Sequence, residues 1–372
     1  PLINEIAPNI TRRIVDTHKP DQEIDFFRSA SEEFSRIDSE PHDPGLIIST
    51  SGTPGKSKGA ILTQENLAHD AQNIINIWEI GETDVLCHSL PLFHVHGLCF
   101  ALHTSLLVGA HVIMLDQFSP ETVVDVLEKK EGEYACTVFM AVPSMYGKLM
   151  DYLAERKLDF GHMRLWTSGS APLLPKDFTR VYETFGKEPV EREGMSETGM
   201  NFSNPLRGER KPGSIGYPLP DLAVRIVDPA TGTDVASGQT GEIWLKGPAV
   251  TPGYWRKPKE TASAFEQGWF RTGDLGNMDK DGYYYLTGTT TEPGDPREFG
   301  DPYNTGLDNP EITGSLKPAV VGTKIRVWRS PDLIAWASLG PVFDLRDGYW
   351  AEAAPEAFAE VPEADWRLWA PE

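Results

Sequence analysis

Between Gly45 and about residue 212, short apolar runs of β-like composition alternate with stretches of helical period, and this alternation restricts the chain to layered α/β architectures. GLIISTS, DVLCHSLPL, AHVIMLD and ACTVFMAVP read as strands, while LTQENLAHDAQNIINIW, ETVVDVLEKK and PSMYGKLMDYLAE space their apolar residues as helices do. From residue 213 to 288 the pattern changes to strands punctuated by Gly and Pro, such as VRIVD and GEIWLKG, which predicts a β-rich subdomain packed on the α/β region 45–212. Residues 1–44 are polar, lack a sustained period and read as a linker-like segment; no internal repeat is present. A chain of 372 residues with 40% hydrophobic content can bury such a core. Its net charge of −21 argues against nucleic acid or an anionic membrane as partner. No run approaches the roughly 20 apolar residues of a membrane span. Cys87, Cys99 and Cys136 have no metal-ligand spacing and suit reduced thiols in the cytoplasm or a mitochondrial matrix. The chain opens on Pro1, which reads as a start that lies further upstream.

The chemistry-bearing residues fall into ordered clusters. Ser49-Thr50-Ser51-Gly52-Thr53-Pro54-Gly55-Lys56-Ser57-Lys58-Gly59 is placed between a strand and a helix. Its glycines let backbone approach a ligand, and its hydroxyls and lysines can hold phosphate oxygens; an exposed Gly-rich turn is the other reading. The spacing is not that of a P-loop. Leu90-Pro91-Leu92-Phe93-His94-Val95-His96-Gly97 sets two histidines at a strand-to-helix junction, where a His is otherwise often a satisfied core residue. Ser168-Gly169-Ser170-Ala171-Pro172-Leu173 reads as a strand-ending turn with a Pro near a helix start. Glu191-Arg192-Glu193-Gly194-Met195-Ser196-Glu197-Thr198-Gly199-Met200 follows, and later Trp269-Phe270-Arg271-Thr272-Gly273-Asp274. Alone, Glu197 would be a solvated carboxylate and Asp274 a turn residue.

In this order, the motifs of residues 45–288 resemble the nucleotide-binding core of the adenylate-forming acid–CoA ligases, malonyl-CoA synthetases in particular. The resemblance implies a layered α/β core with a β-rich subdomain, ATP, Mg²⁺ and CoA as cofactor and co-substrates, and a small carboxylate such as malonate as substrate. It assigns Ser51, Gly52, Thr53, Gly55 and Lys58 to the triphosphate. Gly169, Ser170, Ala171, Glu193, Gly194 and Met195 go to the adenosine region, with Glu193 standing where that pattern has an aromatic. Ser196 meets the α-phosphate, Glu197 holds the metal, and Asp274 takes the ribose hydroxyls. His94 lines the acyl pocket and orders the approach of acid and CoA, making His94, Ser196 and Glu197 the catalytic set. A dicarboxylate needs a cation at the far end of its pocket, and Lys148 or Arg164 is the candidate.

After Gly288 the ligase pattern does not continue into the hinge and the lysine-bearing domain that the resemblance carries, so weak or absent turnover is expected. Residues 289–372 form a Trp-rich tail; five of the ten tryptophans lie within 328–372. IRVWRSPDLIAW and WAPE resemble opening blades of five-bladed propeller glycoside hydrolases acting on arabinan or xylan. The expectation is a short all-β, partial-propeller-like tail joined near Gly288 as a chimera, without glycosidase activity because the later blades do not follow.

Overall fold

In a computed structural model the described residues are 38–50, 58–132, 134–154 and 156–290, together with the strands 324–329 and 337–344. The chain divides into two units, residues 38–292 and a second made of 1–37 and 293–372.

The first unit opens with β1 (Pro44–Ser49) and β2 (Gly59–Thr63), an antiparallel pair in which Ser49 lies opposite Gly59. The Ser/Gly/Lys loop therefore joins two strands and not a strand to a helix. Thr50 N–H donates to Lys58 O at 2.8 Å, so the chain leaves and re-enters the loop at one point. Helix α1 (Gln64–Trp78) follows at once because Thr63 and Asn66 cap it reciprocally: Asn66 N–H donates to the Thr63 hydroxyl and Thr63 N–H to Asn66 Oδ1. The Asn66 amide also donates to Pro248 O and Val250 O, tying this helix end to a loop nearly two hundred residues later.

Next come β3 (Val85–His88), a π-helix (His96–His103), α2 (Thr104–Leu107), β4 (His111–Met114), α3 (Pro120–Leu127), β5 (Val138–Ala141), α4 (Pro143–Tyr152), β6 (Leu165–Ser168), α5 (Pro175–Phe185), β7 (Val190–Met195), β8 (Gly199–Ser203) and β9 (Tyr217–Pro218). These strands form one sheet in the order β4-β3-β5-β6-β7-β8-β9, parallel from β4 through β7 and antiparallel beyond. Helices α3, α4 and α5 each begin on a proline, whose missing N–H costs nothing at that position. The helix after Ser168–Leu173 starts at Pro175, so Pro172 belongs to the turn and not to the helix.

The register sorts the sheet's two faces. Cys87, Phe139 and Trp166 are aligned across β3, β5 and β6. Their face packs on α4 and α5 through Tyr146 and Phe185, with the Trp166 and Phe185 rings 4.5 Å apart. Met140, Thr167 and Val190 are aligned one position on and face the other way, as strand alternation requires. Below the sheet's opening end, Arg164 precedes β6 and is locked by Asp84: its Nε donates to Asp84 Oδ1 at 2.6 Å, a second nitrogen bonds Asp84 Oδ2, and Nη1 donates to Trp78 O. Asp84 is 6% exposed, and Arg164, despite Asp84's own burial, brings its carboxyl below the usual range. Asp84→Asn should therefore lower stability by ~3 kcal/mol, the typical cost of stranding one partner of an enclosed ion pair. Urea unfolding checks this, and a loss within experimental error would count against it.

A second sheet holds β10 (Ala223–Val227), β11 (Gly241–Lys246), β12 (Phe265–Glu266), β13 (Trp269–Met278) and β14 (Tyr284–Thr289), all antiparallel, with α6 (Pro258–Ala264) leading into β12. This is the β-rich part of the unit. In the second unit, β15 (Lys324–Arg329) pairs antiparallel with β16 (Ala337–Asp344). Among the described residues these two strands are what bears on the blade expectation, which takes four strands to a blade. The rest of the blade reading, WAPE included, lies outside the described residues.

Candidate functional site

The parallel strands all end on the same side of the sheet, and the motifs sit there, as ligand sites in α/β sheets do. Gly169, just past β6, has no room for a side chain: a Cβ would lie 2.5 Å from Arg192 Nε. Ser170 adopts a left-handed backbone, φ +67°. That turn brings its hydroxyl to 3.2 Å from His96 Nδ1 and to 3.5 Å from the Arg192 guanidinium. Arg192 is 3% exposed and stacks over the Phe100 ring of the π-helix. Burial, followed by the charge of Arg192, holds the His96 imidazole well below its usual pKa, so it is neutral.

The β7–β8 hairpin carries the second group. Gly194 crosses Gly199 so closely that a Cβ would meet Gly199 O at 2.6 Å. Glu197, in the turn, is buried; its Oε1 accepts from the Tyr254 hydroxyl at 2.9 Å, and its main-chain oxygen accepts from Thr251 N–H. Lys58 Nζ lies 4.6 Å from the centre of the Tyr254 ring. Burial raises Glu197 above the ordinary carboxylate range, against the opposing pull of Tyr254 and Lys58. Desolvation pushes Glu193 up to about 7 while Asn201 donates to its Oε2. Desolvation, then the charges of Glu193, Glu197 and Glu242, hold Asp274 well above its usual value. Glu193, Glu197 and Asp274 thus share one electrostatic neighbourhood, with Lys58 as a cation beside it.

Lys58, Gly169, Ser170, Glu193, Gly194, Glu197 and Asp274 therefore converge, flanked by Ala171, Met195 and Ser196 in the same turns. Ser51, Gly52, Thr53 and Gly55 lie outside the described residues. The paired histidines part company. His96 turns inward to Ser170, whereas His94 is exposed beside Phe93 and lines a 480 Å³ cavity between β1 and Leu92–Leu98. Arg164 is a correction: it sits at the opposite end of β6 from Ser168 and spends its guanidinium on Asp84, so it cannot line an acyl pocket. Lys148 lies on the exposed face of α4. Residues to which the sequence reading gave no individual role are Arg192, His96, Tyr254 and Asp70. Arg192 could have been found, since alternation from Val190 puts it on the inner face; Asp70, buried in α1 and accepting from Met200 N–H, carries no sequence signal.

A mainly parallel sheet with a Ser/His/Arg trio and enclosed carboxylates gathered at its strand ends defines an α/β protein with a polar ligand site at that edge. This chain belongs to the AMP-binding enzyme family, whose model matches residues 4–255. The match takes in residues 4–44, ahead of the first motif. Mouse mitochondrial malonate–CoA ligase ACSF3 is 39% identical over 276 residues, covering 66% of this chain and 47% of that protein. The ATP-bound structure of MatB from Rhodopseudomonas palustris aligns with a TM-score of 0.68 at 41% identity, covering 73% of this chain and 53% of that one. A malonyl-CoA ligase product complex with methylmalonyl-CoA and AMP aligns with a TM-score of 0.64 at 29% identity, covering 90% and 71%. The chain spans about half the length of the curated relatives it matches.

Proposed function

We propose that this chain carries the nucleotide- and acid-binding core of an ATP-dependent acid–CoA ligase for a small dicarboxylate, malonate or a near relative. The observation that carries the reading is that two unlike groups of side chains, drawn from several elements, meet at the β7–β8 hairpin through Glu197 and Arg192. Lys58, Tyr254, Glu197 and Asp274 suit a magnesium nucleotide, and Arg192, Ser170 and His96 suit a carboxylate. In the reaction a carboxylate oxygen attacks the α-phosphorus and pyrophosphate leaves; the CoA thiol then attacks the acyl carbon and AMP leaves. Two anions must meet in the first step, so fixed cations and donors aimed at the phosphates lower the barrier most. Lys58 supplies one such charge. Arg192, buried and oriented by Phe100, would hold the acid's second carboxylate, the role that the sequence suggests for Lys148 or Arg164.

Among the described residues no three His, Cys, Asp or Glu side chains gather into a metal centre. Mg²⁺ does not need one, since it binds through one or two carboxylates plus phosphate oxygens and water. Glu197, fixed by Tyr254 through one oxygen, fits that role, and the ion would neutralise phosphate charge there. No helix among the described residues is long and apolar enough to cross a membrane. The proposed compartment is the cytoplasm or the mitochondrial matrix, the latter suggested by the mouse relative's name. A carbohydrate role for the tail rests on two paired strands and the IRVWRSPDLIAW segment alone, and the ligase reading is preferred.

The test is nucleotide binding by calorimetry. Lys58→Ala should weaken ATP by ~1.5–3 kcal/mol, the worth of a charge-assisted contact; equal affinity would reject the phosphate assignment. Pyrophosphate release on adding malonate separates a ligase from a protein that only binds nucleotide.

A further inference from the structure

His88 ends β3 and is 1% exposed, yet neither ring nitrogen has a hydrogen-bond partner. A buried imidazole left this way costs several kcal/mol in an otherwise satisfied core, so it asks for an explanation. Its surroundings supply one. Cys87 is aligned with Phe139, so His88 lies level with Met140, whose neighbours across the sheet are Thr167 and then Val190. Arg192, two residues on from Val190, shares that face. The π-helix packs over it, placing Phe100 against Arg192, and π-helical turns are frequent at functional sites. The unpartnered atoms repeat around this space: His96 Nε2 and the Thr167 hydroxyl are also buried without a partner. The Ser170 hydroxyl, 3.2 Å from His96 Nδ1 and 3.5 Å from the Arg192 guanidinium, ties the His96 ring to the same space.

The free valences here are hydroxyl and imidazole groups beside a guanidinium. A neutral imidazole offers one N–H donor, a hydroxyl another and Arg several, while a carboxylate only accepts. We propose that His88 is a further specificity-determining residue, one that donates to the far carboxylate of a small diacid held between β3, β7 and the π-helix. Met140 forms the floor between His88 and Thr167 and limits the acid to a short chain. This rests on the ligase reading of the site.

Two measurements on the chain with a non-hydrolysable ATP analogue test it. In wild-type protein carrying ¹⁵N-labelled histidine, malonate should shift the His88 ring signals, assigned through His88→Asn, and propionate should not. By calorimetry, His88→Leu should weaken malonate about tenfold or more without changing affinity for the nucleotide analogue, and His88→Asn, which keeps a donor, should recover part of the loss. Malonate binding that Arg192→Met removes but His88→Leu leaves within twofold, or a silent His88 signal beside a shifted His96, overturns the role of His88 alone. A wild-type chain that binds the nucleotide analogue but no diacid overturns the acid reading of the site and this assignment together. Should His88→Leu fail to fold, the ring signals of the wild type decide.

Discussion

Gly216→Ala is expected to leave residues 38–292 without a cooperative unfolding transition, or with stability reduced by more than ~4 kcal/mol, the range reached only when backbone strain or a core clash is forced. Gly216 has φ +89°, and a Cβ there would lie 2.1 Å from the carbonyl carbon and oxygen of Ser203 and 2.2 Å from Asn204 N. All three are backbone atoms, so no rotamer change can clear the space. They are also fixed on the other side. Asn204 N–H donates to Glu191 O, and the Asn204 amide donates to Ser214 O at 2.6 Å. Displacing Ser203 and Asn204 would pull on both strands of the hairpin that carries Arg192, Glu193 and Glu197. Gly147→Ala is the matched control: it lies inside α4, a Cβ meets nothing within 4 Å, and the change should stabilise by about 0.5–1 kcal/mol through helix propensity. Thermal and urea unfolding followed by circular dichroism compare the two. A Gly216→Ala protein as stable as the parent would show that this crossing is looser than the geometry states.

The alternation of apolar runs made the layered α/β core legible, because strand and helix periods differ and successive segments kept them. The position of the Ser168–Leu173 turn at a strand end followed from the same pattern, since it comes directly after the run MRLWT. What the pattern could not carry was direction across the sheet. Arg164 and Arg192 are the same residue type within one neighbouring pair of strands, yet they stand at opposite ends. One neutralises Asp84 and the other reaches the π-helix. Charge alone gives no way to choose; counting strand positions from Leu165 and Val190 does. The orientation of the histidine pair was open for a related reason. His94 and His96 are two residues apart at the start of the π-helix and do not lie in a strand, so neither period fixes which faces inward, and only the Ser170 contact does. The second strand after the Ser/Gly/Lys loop went unseen, because GAILT is short and runs straight into the α1 cap.

The buried carboxylates make a second large effect, an unusual dependence of stability on pH. Burial raises Asp70 to about 7, Glu191 to about 8 and Glu193 to about 7, each against weaker opposing hydrogen bonds or charge. In the unfolded chain such groups titrate near 4. Between pH ~4 and ~8 the folded state therefore binds more protons than the unfolded one, and stability falls as pH rises through that window. Their contribution is fully present below the unfolded pKa and is lost once the folded carboxyls ionise. Asp84 and Asp279 act in the other sense: their pKa values are lowered, Asp279 to about 2 mainly by Lys211, and their contribution disappears only under strong acid. The two trends together place maximal stability at mildly acidic pH. The urea midpoint at pH 6 should exceed that at pH 9 by a margin corresponding to ~3 kcal/mol, a cautious share of what three carboxyls supply when every tenfold gain in proton affinity on folding is worth about 1.4 kcal/mol. Glu191 isolates the cause. Its Oε1 accepts from Gly213 N–H at 2.9 Å, a bond that a glutamine carbonyl can also accept, so Glu191→Gln keeps the contact and removes the proton. That variant should lose less stability between pH 6 and pH 9 than the parent and should be the more stable protein at pH 9. A parent midpoint that holds level or rises over this range, or a Glu191→Gln profile as steep as the parent's, would mean that these carboxyls are already ionised inside the fold.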